Sequence, residues 1–483
     1  MISSKEIKVL DINSEFYGIP AINLMENAGK GVSDFIIKNL KCENKNIIFF
    51  CGIGNNGGDG FVAARYLAKK CKVTMFLTDE KIKTDIAQKN FDRLKKLNIK
   101  FFTNLEDLDL ILKNNDIVVD SMLGIGLSGE LRKPFSTIAN KINSLKNKTV
   151  ISVDVPTGLN TNLSIIPDYT LTFHDIKETM EKKNCGEIKI VDIGIPKDAI
   201  DYVGPGELSI YYTRPKKQSH KGDNGYVLVI GGGPYVGAPA LTGMAAQKTG
   251  ADLVFIATPK RCWKIIASYS PDLIVKDLKS DILTSQDLPV IKELINRCNS
   301  VVIGPGLGCS KETEEAIVKI IKLVIDENKP LVIDADAIQP AGKHLELIKN
   351  SNTVITPHVR EFKKFTGIDL PEDLDSRIYL VCSWAKKLNI TIFLKSSVDI
   401  LSNGKDTKLN KIHNEAMAVG GTGDVLAGII GALLGKGIEP FDAIRIAAFI
   451  NGQAGNNAFG KKSYGMVGYD LIEEIPIVLK KYL

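Results

Sequence analysis

Histidine and tryptophan are scarce in this chain, at five and two residues among 483. The histidines are scattered, so no metal cluster is visible. The eight cysteines, Cys42, Cys51, Cys71, Cys185, Cys262, Cys298, Cys309 and Cys382, form no CxxC pair. They stand singly in apolar contexts, a pattern that excludes a disulfide framework or zinc site and points to a reducing compartment. Nothing approaches the roughly 18 consecutive apolar residues of a membrane span. The opening MISSKEIKVLDINS carries charges where a signal peptide needs an apolar core. The net charge, +6, is small for this length, so no nucleic-acid or membrane partner is expected. The simplest location is the cytoplasm.

What is present is regular. At roughly 150 residues per domain, the length suggests two or three domains. Apolar runs at 47–51, 72–77, 99–102, 116–120, 149–154, 168–173 and 187–191 alternate with helical patterns at 60–70, 84–97 and 131–143. Such alternation predicts a parallel sheet covered by helices on both faces. Ligands of such sheets sit outside the carboxyl ends of the strands. A stretch rich in Gly, Pro, Lys and Ser, 204–225, places a domain boundary near residue 213, giving domains 1–212 and 213–483. A second α/β series follows: YVLVIGGG, DLVFIAT, SVVIGPGLG, PLVIDADA, NTVITPH and ITIFLKSS, each ending in a polar or glycine-rich turn.

The first half carries CGIGNNGGDG at 51–60, between an apolar run and a helical pattern. Glycines let backbone approach a ligand, and the helix behind offers free N–H groups suited to a phosphate. A tight turn with Asp59 as helix cap is the alternative. DSMLGIGLSGE (120–130) and SVDVPTGLN (152–160) follow other strands. Three such turns together supply a phosphate cradle, an acid able to act as a base, and hard oxygen donors for a cation.

With NLMENAG (23–29), these motifs make 1–212 resemble the NAD(P)H-hydrate epimerase family. The resemblance implies a Rossmann-like three-layer α/β/α sandwich that epimerises the C6-hydroxylated, damaged forms of NADH and NADPH. By position, Asn55, Asn56, Gly57, Gly58 and Asp59 meet the hydrate, as do Gly124, Ile125, Gly126, Leu127, Ser128, Gly129 and Glu130. Asp154 meets it too and is the candidate proton-transfer residue. Asn56, Asp120 and Thr157 are implied to hold a potassium ion.

In the second half, AVGGTGDVLAG (418–428) places glycines and Asp424 ahead of a long helical pattern. Amides at a helix start make an anion hole, here assigned to Gly421, Thr422 and Gly423. Asp424 is either a helix cap or the acid that phosphoryl transfer needs beside such a hole. HKGD, GAPALTGMAA, GPGLG, DADA, TPH and GGTGDVLAGIIGALLG make 213–483 resemble the ADP-dependent NAD(P)H-hydrate dehydratase branch of the ribokinase-like superfamily. That resemblance implies a ribokinase-like α/β domain using ADP with Mg2+ to dehydrate the S epimer, giving AMP and phosphate. Ala238, Gly306, His358 and Asp424 are implied to meet the hydrate. Lys395, Ser396, Ser397, Val398, Asp399 and Gly423 are implied to meet the nucleotide, although LKSSVDILSNG also reads as a β-hairpin. A homo-oligomer is expected.

Three stretches depart from that family pattern. Lys395-Ser396 stands for LKG, TPHVRE for TPHPGE, and Asn414-Glu415-Ala416 for Asn-Pro-Gly. The first and last bear on nucleotide preference. Two rival readings exist, a vitamin-precursor kinase for the second half and a non-catalytic interaction module for the first. The fusion of the two halves argues against the kinase, and the intact NNGGDG, Asp120 and Asp154 against the module.

Overall fold

A computed structural model of the chain describes residues 1–126 and 129–483. Leu127 and Ser128, assigned above to the hydrate, lie outside the described residues. The chain divides into two compact units, Met1–Ile200 and Asp201–Leu483. No helix among the described residues is long and apolar enough to cross a membrane.

The first unit holds β1 (Asn46–Cys51), β2 (Lys72–Leu77), β3 (Lys100–Phe102), β4 (Ile117–Ser121), β5 (Thr149–Val153), β6 (Tyr169–Phe173) and β7 (Glu187–Val191). They form one parallel sheet in the order β3-β2-β1-β4-β5-β6-β7. β1 shows why both faces are covered. Ile47, Phe49 and Cys51 join one apolar cluster, while Ile48 and Phe50 join another. Successive side chains of a strand point to opposite faces, so an unbroken apolar run must be buried twice. Strand order reverses direction at β1 and β4, which marks the ligand crevice of such a sheet. The strand ends there are in register: Phe50 pairs with Asp120 and Cys51 with Ser121, and Asp120 pairs with Ser152.

All seven expected strands of this unit are present. The helices differ more. The first one after β1 spans Asn55–Leu67, so NNGGDG is its first two turns rather than a loop before it. Asp59 is therefore inside the helix and does not cap it. Two helices ahead of β1, Ser4–Phe16 and Ala21–Leu40, had no counterpart in the strand and helix pattern. The second packs tightly on Asn55–Leu67, and a Cβ at its Gly29 would overlap Val62.

The second unit holds β8 (Tyr226–Ile230), β9 (Leu253–Thr258), β10 (Ile274–Asp277), β11 (Ser300–Ile303), β12 (Leu331–Ile333), β13 (Thr353–Ile355), β14 (Thr391–Leu394), β15 (Asp399–Ser402) and β16 (Thr407–Asn410). Their order is β10-β9-β8-β11-β12-β13-β14-β15-β16, with antiparallel pairing only at β14–β15 and β15–β16. Six of the nine were expected as strands. β10 is a mostly exposed, partly charged edge, which hides its pattern. The hairpin reading of LKSSVDILSNG is what forms, and it places residues 395–398 in a turn between β14 and β15. The helix Thr422–Gly435 is buried from Val425 to Gly435. Apolar on all sides, it is a central core helix.

The division falls at Ile200/Asp201 rather than near residue 213. The helix Pro205–Tyr211 is part of the second unit. Its Leu208 is fully buried in that core, and its buried Glu207 pairs with Arg445 at 3.2 Å. The polar stretch after 212 is a surface loop, and the apolar anchors that decide membership lie just before it.

Candidate active sites in the two units

In the first unit, a cavity of about 540 Å³ opens at the carboxyl ends of the strands. Asn55, Asn56, Asp59, Gly124, Ile125, Gly126 and Asp154 line it. Gly129, Glu130, Asp120 and Thr157 do not. Neither do Gly57 and Gly58, which are buried packing positions; a Cβ at Gly58 would stand 2.6 Å from Met25 Sδ.

Asp154 follows β5 with a φ of 64°, a region non-glycine residues seldom occupy. Outliers of this kind cluster at functional sites. Its Oδ1 accepts from the buried Lys177 Nζ at 2.5 Å. Lys177 also donates to Thr172 Oγ1 (2.6 Å) and the Phe173 carbonyl (3.0 Å), so its position is fixed from three sides. Asp59, enclosed in its helix, has its carboxyl pushed well up by burial and then by Asp154 and Asp11.

Asp120 lies beneath the cavity. It accepts from Ser152 Oγ (2.9 Å), the Thr157 amide (2.8 Å), Thr157 Oγ1 (2.6 Å) and the Met122 amide (3.3 Å). Burial still pushes its carboxyl up against those donors. Asn56 is joined to the same strand end, because Ser121 Oγ donates to its carbonyl. Its side-chain oxygen and nitrogen are both buried without a hydrogen-bond partner.

In the second unit, a cavity of about 740 Å³ is lined by His358, Lys395, Ser396, Ser397, Asp399, Thr422 and Gly423. Ala238, Gly306, Val398, Gly421 and Asp424 do not line it. Gly306 instead sits against Tyr235, in the turn that leads to the helix Gly237–Lys248 holding Ala238.

Gly421 caps the helix Thr422–Gly435 with φ 97°, and a Cβ there would stand 2.7 Å from Leu241 Cδ1. The first helical hydrogen bond runs from the Val425 amide to the Gly421 carbonyl. The amides of Thr422, Gly423 and Asp424 therefore have no helical acceptor and can meet an anion. Asp424 is the third helical residue, not the cap. Its carboxyl is pushed up to about 7 by burial, then by Asp334, against the pull of Lys395.

Lys395 Nζ donates to Asp334 at 2.9 Å and lies 4.0 Å from Glu361. Burial works against its ammonium, but Asp334, Glu361 and Asp424 hold its pKa above the ordinary value. His358 caps the helix Val359–Thr366. Its Nδ1 accepts from the Arg360 and Glu361 amides, while its own amide donates to Glu361. With Nδ1 accepting, the neutral ring carries its proton on Nε2. Asp399 is held by the Ser396 amide and Asn410, and burial nonetheless pushes its carboxyl up.

Two family models divide the chain between them. Residues 21–179 match the YjeF-related protein N-terminus, and residues 227–477 match NAD(P)H-hydrate dehydratase. Similar full-length proteins, each named bifunctional NAD(P)H-hydrate repair enzyme Nnr, include that of Methanocaldococcus jannaschii at 40% identity, with 99% of this chain and 94% of the relative covered. That of Archaeoglobus fulgidus is 39% identical over 98% of this chain and 97% of the relative.

The chain belongs to the bifunctional NAD(P)H-hydrate repair enzyme family.

Among solved structures, a ribokinase-like superfamily protein from Enterococcus faecalis is similar with a TM-score of 0.51 and 25% identity, covering 58% of this chain and 96% of that one. The vitamin-precursor kinase and interaction-module readings are set aside by the family matches to both halves. Within this family framework, several cavity residues had no signal in the motifs. Asp11 lines the first cavity from a stretch read only as charged, Lys177 lines it from between two strand candidates, and Asn410, His413 and Asn451 line the second. Lys177 had one available clue: a lysine four residues past an apolar strand on the crevice side.

Proposed function

We propose that the two units carry the two halves of NAD(P)H-hydrate repair. The first interconverts the C6 epimers of hydrated NADH and NADPH. The second uses ADP, brought in as its Mg2+ complex, to dehydrate the S epimer. The observation that carries this reading is Asp424. It is a carboxyl tuned to about 7, beside three free helix amides and within the field of Lys395.

A base near neutrality can take the C6 hydroxyl proton while remaining available at working pH. The oxygen then attacks the terminal phosphoryl group, and the amides of Thr422 and Gly423 with Lys395 meet the charge on the transferring oxygens. Phosphate leaves C6 as C5 gives up a proton, and the dihydronicotinamide is restored. The Lys395–Asp399 turn supports the nucleotide, since its Lys395, Ser396, Ser397 and Asp399 share one wall.

In the first unit, Asp154 is the base and Lys177 fixes its position. The residues there fit a potassium ion on one count: the Asn56 amide is buried with no partner, so its oxygen has a vacant lone pair. Asn56, Asp120 and Thr157 would hold the ion, which would offset the buried charge of Asp120.

The test is to supply pure S epimer of hydrated NADH with ADP and Mg2+. NADH, AMP and phosphate are expected in equal amounts. Failure to form NADH with either ADP or ATP would contradict the reading.

A further inference from the structure

The first cavity holds more acid than one base requires. Asp11, Asp59 and Asp154 face it, with the buried Lys177. The other charged or titratable groups on its walls are Lys8, on the same helix as Asp11, Lys83 and His174. Carboxylates that share a low-dielectric site cannot all ionise easily, and environments that separate them assign acid and base. Asp154 is bonded to the buried Lys177, which fixes its position on the cavity wall. Asp59 also reaches the cavity, but it is half-buried within the helix Asn55–Leu67. Asp11, on the helix Ser4–Phe16, is open to the cavity, where a substrate can reach it.

This inference rests on the epimerase reading of the first site. There C6 of the substrate carries a hydroxyl and is bonded to N1, so it is a hemiaminal carbon. Inverting it means breaking and remaking one of those bonds. We propose that Asp11 is the general acid of the first site, working opposite Asp154. Asp154 takes the C6 hydroxyl proton as the C6–N1 bond breaks. The bonding pair stays on N1, which Asp11 protonates, and C6 becomes an aldehyde. Rotation about C5–C6 and the reverse steps close the ring on the other face. One proton is lent and one returned, and no co-reactant is consumed.

The electrostatics agree with that geometry. Desolvation by the surrounding walls, and then the Asp154 charge, raise the Asp11 carboxyl to about 6, against the pull of Lys177, although one side of the residue stays exposed. A carboxyl raised in this way still holds part of its proton near neutral pH.

The experiment uses the full chain without nucleotide, so that dehydration is silent, and follows interconversion of pure R and S epimers chromatographically across pH. Wild type should lose rate as pH rises through about 6, as Asp11 gives up its proton. Asp11→Asn should lower kcat by about 10²-fold or more with little change in KM, and should abolish that alkaline decline. Asp11→Glu should recover part of the rate and the decline, which a structural role would not do. A melting profile of Asp11→Asn that matches wild type shows that the first unit is folded, since dehydration of the S epimer reports only on the second. Near-normal epimerisation by Asp11→Asn, or the wild-type decline persisting in it, would overturn the assignment. A wild-type chain that does not epimerise at all would instead overturn the reading of the site, and the assignment with it.

Discussion

Asp424→Asn is expected to make the protein more stable and nearly inactive at once. The carboxyl stands at about 7 instead of 3.8 because it is buried beside Asp334, with Lys395 compensating only in part. At about 1.36 kcal/mol per pH unit, ionising it costs the fold at most about 4 kcal/mol. The side chain is not wholly enclosed, so roughly 1–3 kcal/mol is the reasonable expectation. The sign follows from linkage: a carboxyl raised in the folded state contributes fully below about 3.8, and the contribution is lost as pH rises through about 7. Asparagine never ionises. The variant should therefore melt higher than wild type near pH 8 and equally near pH 4, less the roughly 0.3–1 kcal/mol by which a helix start favours an anion. Capping does not confuse the result, because Gly421 holds the cap position. Dehydration of the S epimer should fall by about 10² or more. The assay is melting at both pH values with turnover on the same samples. A variant that melts lower near pH 8 would show that Asp424 does not destabilise the fold, and one that turns over normally would show that it is not the base.

Four further outcomes are expected. Asp154→Asn should lower epimerisation by about 10²–10⁴ while leaving S-epimer dehydration unchanged, checked by running the two assays separately. If Asn56, Asp120 and Thr157 hold potassium, replacing K+ by Li+ should slow epimerisation but not dehydration, and Asn56→Leu should remove that ion dependence. A fragment 201–483 should fold more stably than 213–483, since the latter loses the buried Leu208 and leaves Arg445 without Glu207; breaking such a buried pair costs about 3–5 kcal/mol, read by denaturant unfolding. Gly428→Ala should destabilise by about 1–3 kcal/mol, because its Cβ would overlap the Thr242 carbonyl where two core helices meet; equal melting would show that the helices can part.

Much of the fold was legible because parallel strands buried on both faces are written as short apolar runs, as in NIIFFC and SVVI. Where a strand is an exposed edge, as IVKD is, that signal is missing. Helix starts were the weakest point. Glycine at Gly57 and Gly58 reads as a loop, yet both lie inside a helix where only a missing Cβ allows Gly52 and Met25 to approach. The division at Ile200/Asp201 lies ahead of the composition shift for a similar reason, since composition marks the exposed loop and not the apolar anchors beside it. The motif residues at strand ends were readable because glycine, asparagine and aspartate are rare in such numbers after a buried strand. Asp11 and Lys177 were not, because a charged residue on a surface-like helix or loop looks the same whether it faces solvent or a cavity. Only the fold, which brings Ser4–Phe16 over the ends of β5 and β6, makes the distinction.

One chain that joins two separate sites should repair both epimers. The most direct measurement gives the purified chain an equilibrated mixture of hydrated NADH epimers with ADP and Mg2+ and follows recovery of dihydronicotinamide absorbance. Wild type should convert all of the hydrate rapidly. Asp154→Asn should convert the S fraction at the same rate and then slow to the spontaneous rate of epimerisation. Complete, rapid conversion by Asp154→Asn, or no conversion by wild type, would contradict it.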